Sequence, residues 1–169
     1  MARCLIVGCG CRGRALARAL RADGHAVRGT TRDPGQVAEI EAAGAEPFVG
    51  DPDRVATLGP ALAHVGVACI LLGTASGAQD ELTALHGTRL DMLLERMLDT
   101  TVRGIVYEAA GTVDPEILAA GAERVRHACE RSLIPHVILT AKPAEHDEWL
   151  AAATAAVERA LLARDQFTR

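Results

Sequence analysis

Short apolar runs alternate with longer amphipathic segments along almost the whole chain. Six runs have strand character: Arg3–Val7, His25–Gly29, Glu46–Val49, Val67–Gly73, Gly104–Tyr107 and His136–Thr140. Six segments have helical periodicity: Gly13–Ala22, Gly35–Ala43, Asp53–Ala63, Leu82–Leu98, Pro115–Arg131 and His146–Ala163. This alternation predicts an α/β protein, a three-layer, doubly wound sheet of about six parallel strands with helices on both faces. At 169 residues, we expect a single domain over residues 1–169.

Charge and hydropathy exclude several classes of partner. The net charge of −4 gives no overall attraction to nucleic acids or anionic membranes. No apolar run reaches the roughly 18 residues that a transmembrane helix needs, and the first apolar run is short for a signal peptide. We therefore expect a cytoplasmic protein that binds neither nucleic acid nor membrane.

The first strand candidate runs into a loop that reads "GCGCRG". Gly8, Gly10 and Gly13 form a Gly-x-Gly-x-x-Gly pattern between a strand and a helix. In that setting the first glycine allows a tight turn, the second lets the backbone approach a diphosphate, and the third allows close helix packing. The backbone amides around Cys11 and Arg12 would then hold the diphosphate. The loop predicts a dinucleotide site, and the alternative is a loop that only retains its glycines.

The same loop contains Cys9 and Cys11, two of five cysteines. No pair has the Cys-x-x-Cys spacing, and a closed metal site needs about four ligands, so we expect reduced thiols and no metal. Oxidation of these thiols could block the diphosphate site, and this is a hypothesis.

The turn after the second strand candidate indicates which dinucleotide binds. It contains Thr30, Thr31 and Arg32, with Asp33 one residue later. A guanidinium and hydroxyls suit the 2′-phosphate of NADP, whereas NAD sites usually have a carboxylate here for the ribose. The turn predicts NADP, with NAD as the less favoured cofactor; the alternative is that Arg32 is an ordinary surface arginine.

Ligands of such sheets lie beyond the carboxyl ends of the strands. Asp51, after the third strand candidate, is therefore predicted to reach the adenine edge. Gly73 and Thr74, after the fourth, are predicted to border the ribose and nicotinamide.

The chain resembles the atypical short-chain dehydrogenases/reductases, which are NAD(P)-binding proteins with a Rossmann fold. The stretches that carry the resemblance are "IVGCGCRGRALARALRADGHAVRGTTR", "HGTRLDMLLERMLDTTVRGIVYEAAGTV" and "AERVRHACERSLIPHVILT". The resemblance implies hydride transfer with a Tyr-x-x-x-Lys pair and a Ser or Thr, followed by a substrate-binding region beyond the sixth strand. It also implies a homodimer through the helices at Leu82–Leu98 and Pro115–Arg131.

The sequence departs from that family where its chemistry lies. The positions of the catalytic pair hold Pro115 and Ala119, and alanines replace the serines that follow Tyr107. The region after the sixth strand candidate offers only one loop and one helix, and no substrate is identifiable.

Three weaker catalytic candidates remain. Glu108 ends the fifth strand candidate and could act as a general base. Tyr107 and Lys142, the only tyrosine and the only lysine, could form a pair across neighbouring strands. Each of the three could equally have no catalytic role. Two functions stay open: an NADP-dependent oxidoreductase with unusual acid–base groups, or a non-catalytic, NADP-responsive regulatory module that acts through a dimer interface.

Overall fold

The computed structural model describes the backbone of residues 1–166 and the side chains of residues 1–163. Its centre is one sheet of six parallel strands in the order β3-β2-β1-β4-β5-β6. The strands are β1 (Arg3–Val7), β2 (Ala26–Thr31), β3 (Glu46–Val49), β4 (Val67–Ile70), β5 (Gly104–Glu108) and β6 (His136–Leu139). The predicted α/β class and the doubly wound parallel sheet are confirmed.

Helices connect consecutive strands and follow the last one. They are α1 (Cys11–Ala22), α2 (Val37–Ala42), α3 (Gln79–Leu85), α4 (Thr88–Leu98), α5 (Pro115–Ser132) and α6 (His146–Gln166). Two 3-10 segments, Pro34–Gln36 and Val55–Leu62, complete the connections. Within the part of the chain that the structure describes, no helix has the length and apolarity to cross a bilayer.

Two hydrophobic cores lie on opposite faces of the sheet, because side chains alternate along each strand. Cys4 and Ile6 of β1 pack in the core beneath α1 and α6. Leu5 and Val7 pack in the core formed by α4, α5 and the second 3-10 segment. Helices on both faces give the three layers that the sequence pattern predicts.

The structure corrects three predicted boundaries. β2 continues past Gly29 to Thr31, because Thr30 and Thr31 stay in register with β3. β4 ends at Ile70 rather than Gly73, because Ile70 is the last residue paired with β1 and β5. The region predicted as a helix over Asp53–Ala63 forms a 3-10 segment that includes Pro60, since proline cannot supply an amide to a longer helix.

The segment predicted as one helix over Leu82–Leu98 is two helices. His86 ends α3 and Gly87 begins α4. A side chain on Gly87 would collide with the carbonyl oxygen of Thr83, which lies 2.5 Å from the position a Cβ would occupy. Hydrophobic periodicity persists across this joint and therefore does not reveal it.

Candidate functional site

The glycine loop joins β1 to α1 at the carboxyl edge of the sheet. Gly8 has φ +83°, and a Cβ there would lie 2.6 Å from the carbonyl oxygen of Leu71, so only glycine fits. Gly10 is the N-cap of α1, and no atom of the described residues beyond its immediate neighbours stands within 4 Å of where its Cβ would be. No side chain in this part of the chain caps the helix, so the first-turn amides face this open space without an intrahelical partner.

The two loop cysteines differ in exposure. Cys9 is buried, its Sγ lies against Gly29 of β2, and burial raises the pKa of its thiol to about 11. Cys11 is exposed at the first position of α1. Within the described side chains, no three His, Cys, Asp or Glu residues cluster in a way that could hold a metal ion.

A cleft of about 340 Å³ opens beside the loop. Six of the predicted cofactor residues line it, namely Gly8, Gly10, Thr30, Thr31, Arg32 and Thr74. Gly13 is buried within α1, where a Cβ would meet the Gly8 carbonyl oxygen at 3.1 Å and Ile6 at 3.2 Å. Its role is thus close packing of the helix on the strand, as the motif predicts.

Two threonines of the turn are already hydrogen bonded. The Thr30 hydroxyl is buried and accepts from the backbone N–H of Gly8 at 3.2 Å, which ties β2 to the glycine loop. Thr31 accepts from the N–H of Asp33 at 3.1 Å. Asp33 accepts from the N–H of Gly35 at 2.8 Å and begins the first 3-10 segment. Arg32 is therefore the residue of this turn that brings a positive charge to the cleft.

The acidic residue at this end of the cleft is Asp53 rather than Asp51. Asp51 lies outside the lining, and its carboxylate accepts from the N–H of Asp53 at 2.9 Å. Asp53 lines the cleft with its Oδ2 3.7 Å from Nη1 of Arg32. Asp53 follows β3 and is 21 residues from Arg32 along the chain, so no local pattern predicted this contact.

Glu108 is fully buried at the end of β5 and is surrounded by donors. Its Oε1 accepts from Nη2 of Arg12 at 2.7 Å and from the N–H of Gly73 at 2.9 Å. Its Oε2 accepts from the indole N–H of Trp149 at 2.8 Å. The same Arg12 guanidinium donates to Thr74 at 3.0 Å and lies 5.3 Å from the centroid of the Trp149 ring. We call Arg12, Glu108 and Trp149 the arginine cluster.

Tyr107 points to the opposite face of the sheet, into the core beneath α4 and α5. Its hydroxyl lies 2.6 Å from Nδ1 of buried His86, whose Nε2 is 3.1 Å from the carbonyl oxygen of Leu72. The carbonyl only accepts, so Nε2 carries the proton and Tyr107 donates to Nδ1. Burial, followed by the Glu108 charge, raises the pKa of Tyr107, and burial lowers that of His86.

Lys142 lies in the exposed loop between β6 and α6. Tyr107 is buried and its hydroxyl is bonded to His86, so the structure does not bring Tyr107 and Lys142 together. The sequence analysis missed Arg12 as a partner of Glu108 and His86 as a partner of Tyr107. Both pairs join residues that are far apart along the chain, and no local pattern marks them.

Comparison with known proteins agrees with this geometry. Residues 8–160 match the family model described as NAD(P)H-binding. No curated protein matches the chain in sequence.

Three solved structures share the fold. A short-chain dehydrogenase/reductase superfamily protein from Agrobacterium tumefaciens with bound NAD has a TM-score of 0.67 and 23% identity, covering 80% of this chain and 48% of that one. Vestitone reductase from alfalfa has a TM-score of 0.63 and 15% identity, covering 82% and 56%. UDP-glucuronic acid 4-epimerase from Bacillus cereus in complex with NAD has a TM-score of 0.61 and 15% identity, covering 80% and 55%.

The chain spans about half the length of these structures, and at such identities the likeness concerns the fold. The family model, in contrast, covers most of the chain, including the glycine loop and the cleft. This chain therefore belongs to the NAD(P)H-binding family, and it has the Rossmann fold of the short-chain dehydrogenases/reductases.

Proposed function

We propose that this chain binds NADP in preference to NAD and does so without the proton-transfer chemistry of the short-chain dehydrogenases/reductases. The open space over Gly10 and the uncapped first turn of α1 fit a diphosphate. Gly8, Gly10, Cys11 and Arg12 would provide the backbone around it, and the adenosine would extend toward Thr31 and Arg32.

The position of Arg32 carries the preference for NADP. Its side chain remains 57% exposed at the mouth of the cleft, directly after β2. Its contact with Asp53 is long and half-exposed, so the pair contributes about 0–1 kcal/mol and a phosphate dianion can replace the carboxylate. Asp53 nevertheless opposes the phosphate, and in the absence of Arg32 it would suit the ribose hydroxyls of NAD.

Titration calorimetry with both cofactors tests this preference. The Arg32→Ala variant is expected to lose NADP⁺ affinity by about 10- to 100-fold, the value of a charge-assisted phosphate contact, and to keep its NAD⁺ affinity. Asp53→Asn is expected to bind NADP⁺ about two- to fivefold more tightly. Arg18→Ala, an exposed arginine on α1, is the matched control and should bind as the wild type does. Equal NADP⁺ affinity in Arg32→Ala and wild type would contradict the proposal.

The contacts of Glu108 and Tyr107 support binding without turnover. Both Glu108 oxygens already accept strong hydrogen bonds, and the Tyr107 hydroxyl is bonded to His86 on the far face of the sheet. A general base or acid must reach the reacting proton directly, and these contacts leave neither group free to do so. NADPH should therefore stay unoxidised, by absorbance at 340 nm, with carbonyl, flavin and quinone acceptors. Sustained oxidation with any of them would favour the alternative, an NADP-dependent oxidoreductase whose acceptor needs no tyrosine.

A non-catalytic binding module must couple cofactor binding to another property of the protein. We infer that this property is homodimer formation through an interface on α4 and α5. The groove between these helices has apolar residues such as Leu94, Leu98 and Ala128 between charged ones such as Glu95 and Arg131. Met92 of α4 is 43% exposed. Light scattering during size-exclusion chromatography is expected to show a dimer whose dissociation constant changes with NADP⁺. A monomer both with and without NADP⁺ would contradict the proposed dimer interface.

A further inference from the structure

The side chain of Arg12 crosses the crevice between β1 and β4. It begins on α1, which follows β1, and its guanidinium donates to Thr74, beyond β4, and to Glu108, at the end of β5. Trp149 of α6 lies against the same guanidinium. In the strand order 3-2-1-4-5-6, this crevice is the switch point where a dinucleotide passes from one half of the sheet to the other. Arg12 thus stands on the path of the ligand.

The cleft lies beside the glycine loop and extends to Thr74, the residue to which Arg12 donates. Its lining comes from the glycine loop, the ends of β2, β3 and β4, and the segments up to α3. Among the described residues, none from β5, α5, β6 or α6 contributes to it.

The edge beyond Arg12 is closely packed. The loops that follow β4 and β5 touch, since a Cβ on Gly111 would lie 2.0 Å from the carbonyl oxygen of Gly73. The Gly73 carbonyl also accepts from the N–H of Val113 at 3.1 Å. These contacts hold the loops that follow β4 and β5 against each other, next to the arginine cluster.

Moving Arg12 out of this position is costly. Glu108 is fully buried, so removal of the guanidinium would leave an unpaired charge inside the protein. Nε of Arg12 is also buried and has no partner among the described residues. The pairing with Glu108 therefore holds Arg12 in place although this donor is unsatisfied.

We propose that Arg12 determines the specificity of the site by ending it at the diphosphate. On this view, which rests on the proposed NADP binding, the recognised group is the 2′-phosphorylated adenosine diphosphate portion of the cofactor. The nicotinamide riboside remains outside and adds no affinity. Other nucleotides that carry this portion bind equally well, so the ligand class is phosphorylated adenosine diphosphates rather than intact pyridine dinucleotides alone.

Trp149 reports whether Arg12 moves. It is the only tryptophan in the chain, it is fully buried, and it contacts both Arg12 and Glu108. A ligand that displaces Arg12 must change the surroundings of the indole, whereas one that stops at the diphosphate leaves them intact. Tryptophan emission therefore separates the two binding modes without any measurement of activity.

The test compares NADP⁺, 2′-phospho-ADP-ribose and nicotinamide mononucleotide by calorimetry and by Trp149 emission. The wild type is expected to bind NADP⁺ and 2′-phospho-ADP-ribose with dissociation constants within threefold of each other and not to bind nicotinamide mononucleotide. Its Trp149 emission should not change when either nucleotide binds. Arg12→Ala combined with Glu108→Gln, which removes both charges together, is expected to bind NADP⁺ more than threefold tighter than 2′-phospho-ADP-ribose.

The outcomes separate this inference from the proposed function. If the wild type binds NADP⁺ more than threefold tighter than 2′-phospho-ADP-ribose, or if NADP⁺ shifts Trp149 emission, the inference is overturned and NADP binding stands. An unchanged ratio in a folded double variant would overturn Arg12 as the determinant. If neither nucleotide binds the wild type, the proposed function fails, and this inference fails with it.

Discussion

The carboxylate of Glu108 receives hydrogen bonds from three parts of the chain. Arg12 comes from α1, Gly73 from the loop after β4, and Trp149 from α6. A carboxylate at the end of a central strand is compatible with a general base, and this is how the sequence analysis treats it. The observed contacts instead suit a residue that holds the crevice in one arrangement.

We expect Glu108→Gln to lower the free energy of unfolding by about 2–3 kcal/mol. The glutamine amide has only one acceptor atom, so its NH₂ group must face one of the donors that now bind the carboxylate. The half-buried Arg12 also loses its charged partner. Urea denaturation measures the change. Glu41→Gln, an exposed carboxylate on α2, is the control and should change stability by less than about 0.5 kcal/mol. Equal losses in the two variants would contradict the role given to Glu108.

The cysteines of the glycine loop are predicted to differ in reactivity. With its pKa raised to about 11, roughly one Cys9 thiol in a thousand is ionised at pH 8, and the thiolate is the reactive form. Iodoacetamide at pH 8 should therefore label Cys11 first, as read by mass spectrometry of the loop peptide, and Cys11→Ser should abolish the early label. Bound NADP⁺ should slow the labelling of Cys11. Labelling of Cys9 at a similar rate would contradict the burial described.

At the residue scale, the sequence predicted local features well and distant partners poorly. Gly8, Gly10 and Gly13 form a motif within six residues, and Thr30 to Arg32 follow a recognisable strand. Arg12 and Glu108 are 96 residues apart, and periodicity does not specify which side chains meet across a sheet. The contact of Asp53 with Arg32 was not predicted for the same reason. Asp53 approaches Arg32 only because β2 and β3 end side by side.

At the scale of elements, the joint between α3 and α4 connects the cleft to the core. His86 ends α3, accepts from Tyr107 of β5 and donates to the carbonyl of Leu72, a residue that lines the cleft. The sequence predicts one helix over Leu82–Leu98 and gives no sign of this joint. The correct start of α5 was predictable, because Asp114 caps it and Pro115 occupies its first turn. Neighbouring residues determine where α5 begins, whereas the joint between α3 and α4 involves a hydrogen bond between His86 and Tyr107, which is distant along the chain.

The buried His86 predicts a pH-dependent stability. Burial lowers its pKa in the folded state, whereas the unfolded chain binds a proton near pH 6.5. Protons therefore favour unfolding, and the stability should fall as the pH drops from about 6.5 to the folded pKa, by at most about 1.4 kcal/mol per pH unit.

Urea denaturation across pH 5 to 8 measures this slope. The pair His86→Leu with Tyr107→Phe, which leaves no hydroxyl unpaired, should be less stable at pH 8 but should show a shallower slope. His146→Gln, an exposed histidine at the start of α6, should keep the wild-type slope. A double variant with the wild-type slope would show that His86 is not the group responsible.

At the scale of the whole molecule, the sheet has two unlike halves. The ends of β2, β3 and β4 border an open cleft with an exposed arginine, and the end of β5 is filled by the arginine cluster and packed loops. The alternation of strands and helices was sufficient to predict the sheet itself. The closure of one half was not predictable, because it depends on Trp149 of α6 meeting residues of α1 and β5.

The central claim is that the backbone at Gly10 holds a diphosphate, and Gly10→Ala tests it most directly. Gly10 has φ −80° and ψ −154° and open space around its would-be Cβ, so alanine should leave the melting temperature nearly unchanged. A methyl group there would occupy the diphosphate position. Calorimetric titration with NADP⁺ is expected to show one site in the wild type and an affinity at least about tenfold lower in the variant. Equal NADP⁺ affinity in both proteins, or no binding by the wild type, would contradict the account.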